Sequence, residues 1–186
     1  MDVSAVSLFA ELLLLDTYAK KAEEKDVKIR EVWNNLDGTR GLQYTVSVAL
    51  PGGFQDKEFE SWLTREKTIG REGRRTFIIA IAPLETYKGT HHEVSGADKM
   101  VKGTSTGVYI IKELTENTCE WTWAQQIDFK ISLTANMLDF FAKQNLAWAD
   151  ELQEKFRRNG KEVDGERVAA LAGKMIDWRG EKLMED

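Results

Sequence analysis

The sequence is poor in the residues that announce chemistry: one cysteine, two histidines, two prolines and no apolar run that approaches a membrane span of roughly 18 residues. A single Cys119 cannot form an internal disulfide, so packing has to hold the fold, as suits a reducing compartment. His91-His92-Glu93 is the one cluster with metal-ligand residue types, but sequence neighbours point apart and no further ligand stands at a recognised spacing. No basic-then-apolar leader opens the chain. These absences predict a cytoplasmic protein, peripheral where it meets membranes, with no metal and no cofactor.

What is present describes a globular chain. Of 186 residues 42% are apolar and 31% charged, proportions that exclude a disordered tail and suffice for one substantial core, so residues 1–186 are expected to form a single domain. A net charge of −5 gives no general attraction to phosphate, which excludes nucleic acid as the expected partner. The local run Arg71, Arg74, Arg75 fits a solvated hairpin tip.

Periodicity supplies the elements. Val3 to Lys25 reads as a helix buried over its first half. Leu42, Tyr44, Val46, Val48 and Leu50 alternate with Gln43, Thr45 and Ser47, the pattern of a strand with one apolar and one polar face, ended by Pro51-Gly52-Gly53. Glu58–Ile69 and Arg75–Ala82 form a hairpin around Gly70-Arg71-Glu72-Gly73. The interleaving of Glu58, Glu60, Glu66 and Glu72 with Lys57, Arg65, Lys67 and Arg71 predicts an exposed strand of opposite-charge pairs. Residues 83–100 make a long loop suited to covering a site. Val101–Leu114 and Cys119–Phe129 pair through Glu116-Asn117. After a cap at Ser132, Leu133, Met137, Phe141, Trp148, Leu152 and Phe156 recur at helical spacing, with Phe140, Gln144 and Asn145 beside the stripe. Asn159-Gly160 predicts its end, Asp164 caps an extra C-terminal helix over 163–180, and 181–186 is a frayed tail. Helix, antiparallel strands and long helix together give an α+β domain.

Catalytic signals are weak. Gly103-Thr-Ser-Thr-Gly107 lacks the Gly-Lys-Ser/Thr of a phosphate loop. Cys119 opens a strand and has no histidine in reach by sequence. Glu58, Glu66 and Tyr44 are candidate acids or bases, yet none forms a distinctive pair, so no catalytic residue is assigned. The stronger feature is one pleat face carrying Cys119, Trp121, Trp123, Gln125 and Ile127, which fits either core packing or a ligand cavity.

The succession Val101-Lys-Gly-Thr-Ser-Thr-Gly107-Val-Tyr-Ile-Ile-Lys-Glu-Leu114, a strand ending Gln126-Ile127-Asp128 and an amphipathic helix resembles the C-terminal half of the START lipid-transfer domain. Lys57-Glu58-Phe59 is similar to that family's Arg-Asp-Phe strand start. The resemblance covers residues 5 to 158 in patches, with Lys102 in place of an Arg, Leu63 where some members place a second Arg, and no Gly and Pro at the corner before the final helix. It implies a helix-grip fold, a curved antiparallel sheet around a long C-terminal helix, with an apolar tunnel for one lipid or sterol. On that basis the ligand-binding residues are Tyr44, Val46, Leu63, Arg65, Trp121, Trp123, Gln125, Leu133, Met137 and Phe141. Gln125 would hold a ligand hydroxyl or carbonyl, and Arg65 would stand in for the absent Arg at 63. Transient membrane contact goes with such a role. The family's first helix and strands have no counterpart before residue 5, which fits a shortened member with an open groove, a piece of a larger chain, or a protein that completes its sheet with another subunit; an unpaired sheet edge would then favour a homo-oligomer. Two other functions fit the same cavity: a helix-grip cyclase or hydrolase acting on a hydrophobic substrate, and a protein-interaction module gripping a partner helix.

Overall fold

The turn chemistry sets the sheet. A computed structural model describes residues 1–13, 27–34, 42–48, 57–93 and 100–172. At the tip of the first long hairpin Gly73 takes φ 75°, a left-handed value that glycine adopts at no steric cost. Gly73 N–H donates to Gly70 O at 3.0 Å, and Gly70 N–H donates to Arg74 O at 2.9 Å. This turn joins β3 (Lys57–Ile69) to β4 (Arg75–Pro83). Glu116-Asn117 joins β5 (Val101–Thr115) to β6 (Thr118–Asp128). With β1 (Val27–Asn34) and β2 (Leu42–Val48) the strands form one six-stranded sheet in chain order, a meander. β1 goes unread in the sequence because Lys28, Arg30 and Glu31 crowd its few apolar residues and Glu31 interrupts the alternation of Val27, Ile29 and Trp33.

Unequal strand lengths curve this sheet. β4 stops at Pro83, while its longer neighbours continue and meet beyond it in a short parallel ladder, Lys57 opposite Val101 and Phe59 opposite Gly103. The sheet is therefore antiparallel except for this closure. Close approach explains the two glycines that resemble a phosphate loop. A Cβ on Gly103 would overlap the Phe59 ring, and one on Gly107 would lie 2.8 Å from Ala124 O.

Two expectations about exposure are corrected. Gln43, Thr45 and Ser47, the expected polar face of β2, are buried, and so are Lys57, Glu58 and Arg65 on β3. Around Gln43 and Trp62 the outer face of β2 and β3 is covered by the chain leaving β4. There a short 3-10 turn, Leu84–Thr86, receives the Trp62 Nε1–H on Thr86 Oγ1 at 3.0 Å, and Trp62 packs on Tyr87 with ring centroids 5.6 Å apart. The Gln43 carboxamide holds the His92 backbone on both sides: Nε2 donates to His92 O and His92 N–H donates to Oε1, each at 2.8 Å. The described part of the long loop, through Glu93, thus lies on the back of the sheet; residues 94–99 lie outside the described residues. Lys57 is buried because β2 and β5 both pair with it, and Arg65 because it faces inward beside Leu63.

Two helices occupy the concave side. α1 (Ala5–Leu13) starts at Ser4, whose Oγ accepts the Ser7 N–H at 3.1 Å, and buries eight of its nine residues. The continuation expected to Lys25 lies outside the described residues. α2 (Ala135–Ala172) is capped by Thr134, not Ser132, so Leu133 precedes the helix. It passes straight through Asn159-Gly160, and the separate helix expected from 163 is its continuation. Each of the interior glycines Gly160 and Gly165 costs the helix only about 1 kcal/mol, and without a proline nothing removes the hydrogen bonds of the next turn. The tail at 181–186 falls outside the described residues. Among those residues no helix is long and apolar enough to cross a membrane.

Because the Gly107 clash is with backbone, which cannot rotate away, Gly107→Ala is expected to destabilise the protein by about 1–3 kcal/mol. Urea denaturation of the two proteins measures the difference.

Candidate functional site

One end of the concave surface is filled. α1 inserts Leu8 and Phe9, with Phe9 stacked on Phe77 at 4.5 Å, and the second half of α2 adds the buried Leu152 and Phe156. Polar contacts pin that half of α2: Lys155 Nζ reaches the fully buried Glu11 carboxylate at 3.3 Å, and Arg157 reaches Asp2 at 3.1 Å. The other end is hollow. A cavity of about 360 Å³ lies between the sheet and the first half of α2, within the roughly 300–1,000 Å³ range of small-molecule sites. Leu12 of α1 bounds it on one side. Its walls are Tyr44 and Val46 of β2, Phe59, Ser61 and Leu63 of β3, and Ile81 of β4. Opposite stand Ser105 and Tyr109 of β5, Gln125 and Ile127 of β6, and then Phe129. Phe141, Gln144, Asn145 and Trp148 of α2 complete the lining. Gln125, Ile127, Gln144 and Asn145 are solvent-exposed, so the mouth lies between the end of β6 and the first half of α2.

An aromatic group separates the filled end from the hollow one. Trp121 and Trp123 stack at 6.0 Å with their planes 1° apart, as alternate residues on one strand face. Trp148 of α2 stands edge-on to both, at 5.5 and 5.1 Å, and Tyr109 packs against both from β5. Each such aromatic pair contributes about 0.5–1.5 kcal/mol beyond area burial, so the group is a stiff spacer between helix and sheet.

The polar chemistry of the cavity is uncharged. None of its sixteen lining residues is Asp, Glu, Lys, Arg or His. Gln125 Nε2 donates to Ser105 Oγ at 2.8 Å, while its Oε1 accepts the Trp123 Nε1–H at 3.2 Å, so the carboxamide is held in one orientation. Burial, and then the neighbouring Tyr44, hold the Tyr109 phenol above its usual pKa, so it stays neutral. Cys119 is buried at the start of β6 and its thiol is pushed up to about 11 by desolvation, which leaves it a core residue without thiolate character. His91, His92 and Glu93 are exposed, and no group of three metal-ligating side chains occurs among the described residues.

Of the residues expected to bind ligand, Tyr44, Val46, Leu63, Gln125 and Phe141 meet in the cavity. Trp121 and Trp123 touch one another and Trp148 behind its wall, so it is Trp148 and Tyr109 that present aromatic surface to the hollow. Arg65 is buried one pleat beyond Leu63, outside the lining, and desolvation lowers its guanidinium pKa. Leu133 lies before the helix cap and Met137 in the first turn, and neither reaches the cavity wall. Sequence reasoning passed over Ser61 and Ser105. The available signal was a small polar residue on an otherwise apolar pleat face, as Ser61 is between Phe59 and Leu63.

No protein-family model and no curated protein matches the chain. Among solved structures it is similar to human STARD10, with TM-score 0.63, 16% identity, and coverage of 91% of this chain and 64% of that one. It is also similar to the human StarD13 (DLC2) lipid transfer and protein localization domain, with TM-score 0.48 at 17% identity over 70% of this chain and 59% of that one. A STAR-related lipid transfer protein from Xanthomonas axonopodis gives TM-score 0.46 at 14% identity over 69% and 64%. The first of these shows the fold. The chain is folded as a START domain, an α+β helix-grip structure, and it spans 64% of the length of the STARD10 chain.

Trp148→Ala removes both edge-on contacts and joins the spacer region to the cavity. As Trp148 is half-buried, the expected cost is about 2–3 kcal/mol, below the 3–5 of a fully buried aromatic; chemical denaturation followed by far-UV circular dichroism tests it.

Proposed function

We propose that the protein binds one hydrophobic molecule of the lipid or sterol class between its sheet and α2, and carries it without converting it. The observation that carries this reading is the hollow itself: about 360 Å³ lined by apolar and uncharged polar side chains in a fold that fills its other end tightly. Protein interiors are close-packed, and an apolar ligand gains roughly 0.8 kcal/mol for each methylene removed from water. Enzymatic conversion is less well supported. The carboxylates Glu58 and Glu66 do not line the cavity, and Tyr44, which does, has no carboxylate, imidazole or thiol beside it in the lining with which to exchange a proton. The long loop is an equally poor gate, since Gln43 and Trp62 engage its described part on the opposite face. Opening instead falls to α2, whose first half borders the mouth.

That half also exposes Leu138 at 55%, Phe140 at 43% and Leu146 at 71%, and Ile127 on the rim is exposed as well. A bilayer surface is the partner these apolar side chains suit. Oligomerisation through the outer edge of β6 remains part of the proposal, as that strand has no further sheet neighbour among the described residues.

Native mass spectrometry of the purified protein is expected to show one adduct of lipid mass. Phe141→Glu, which sets a carboxylate in the cavity wall, is expected to abolish it while circular dichroism stays unchanged. A bare wild-type protein that also takes up no lipid from vesicles defeats the proposal, and capture of a helical peptide in its place supports an interaction module. Leu146→Glu is expected to slow vesicle-to-vesicle transfer about tenfold through lost insertion, with equilibrium binding unaltered; stopped-flow fluorescence separates the two quantities.

A further inference from the structure

We infer that the ligand is an uncharged, single-chain amphiphile with one hydroxyl or carbonyl group, and not a two-chain phospholipid. The inference rests on the binding reading above and deepens it. Three features of the cavity carry it.

The first is size. A cavity of about 360 Å³ lies near the lower end of the roughly 300–1,000 Å³ range of small-molecule sites, which suits one chain better than two.

The second is charge. The wall bears no ionised side chain, and an ion brought into such a space without a partner shifts its pKa or stays out. A carboxylate, a phosphate and an ammonium headgroup are disfavoured alike. Arg65, the inward-facing cation expected to serve as anchor, lies outside the lining.

The third is the position of the polar atoms that still have capacity. Ser61 is 2% exposed and its hydroxyl has no hydrogen-bond partner among the described residues. Ser105 is 7% exposed; its oxygen accepts from Gln125, and its own proton goes to no group among the described residues. Gln125, fixed by Ser105 and Trp123, retains one N–H and one oxygen lone pair. Tyr44 stands directly opposite Ser61 in the β2–β3 ladder, and Gln125 opposite Gly107 in the β5–β6 ladder. Donors and acceptors thus converge on the cavity from the strands on either side of β4, which matches a neutral hydroxyl able to give one hydrogen bond and accept others.

The test uses the whole chain and four probes: 1-dodecanol, dodecanoate, dodecylammonium and phosphatidylcholine vesicles. Binding is followed by tryptophan fluorescence, to which Trp148 in the wall contributes, and by native mass spectrometry. At a pH of about 7, where the acid and amine are ionised, dodecanol is expected to bind one-to-one and both charged homologues at least about tenfold more weakly. Ser61→Ala and Ser105→Ala, small changes in buried sites, are each expected to weaken dodecanol roughly fivefold. Equal binding of either charged homologue, or extraction of one phosphatidylcholine per protein, overturns the inference and leaves the cavity reading standing. Failure of all four probes overturns both.

Discussion

The edge-on contact of Trp148 with the stacked pair Trp121 and Trp123 is the constraint on which the interior depends. On one side of it, α2 is drawn down onto α1 and the sheet through Leu152, Phe156 and the Glu11–Lys155 pair. On the other, three indoles and the Tyr109 ring occupy the space between helix and sheet. Rings of that width do not compress, so the first half of α2 stands off the concave surface and a hollow remains beneath it. The tryptophans therefore act by touching each other. The space they create lies beside them.

Curvature is the second requirement, and it comes from backbone lengths more than from side chains. β4 ends at Pro83, and β3 and β5 close over its end in parallel. Gly103 and Gly107 let Phe59 and the β6 backbone approach where any Cβ would intrude. The same closure sets Phe59 against Phe129, which in turn stacks on Phe141 at 4.9 Å, so one wall of the cavity is tied to the helix that borders its mouth. Movement of α2 at this end disturbs an aromatic stack but no buried ion pair described at the other end.

The back of the sheet shows why polar alternation misleads. Gln43, Thr45, Ser47 and Glu58 have the spacing of a solvated face, yet each is buried. A strand's periodicity says that its two faces differ; it does not say whether something folds over the polar one. At Gln43 a loop distant in sequence does so, and the turn before it is held by Trp62. Burial of Arg65 follows the same rule, because its spacing fits an exposed ion-pair strand and a concave-face position equally well. The helix end was misread for a related reason: Asn159-Gly160 is a frequent stop, but a local preference of about 1 kcal/mol yields to the continuity of a 38-residue helix.

By itself the sequence determined the hairpin turns, five of the six strands to within a few residues, the amphipathic stripe of the long helix, and the sharing of one strand face by Trp121 and Trp123. These depend on local φ/ψ preference and on periods of 2 and 3.6, which the order of residues states directly. Only the tertiary structure decided that the tryptophans form a spacer, that Ser61, Ser105, Gln144 and Asn145 join Tyr44 and Gln125 around a hollow, and that the long loop lies on the far face. A cavity is a volume that no residue fills. It arises from the distance between elements far apart in the chain, and neither composition nor spacing encodes that distance.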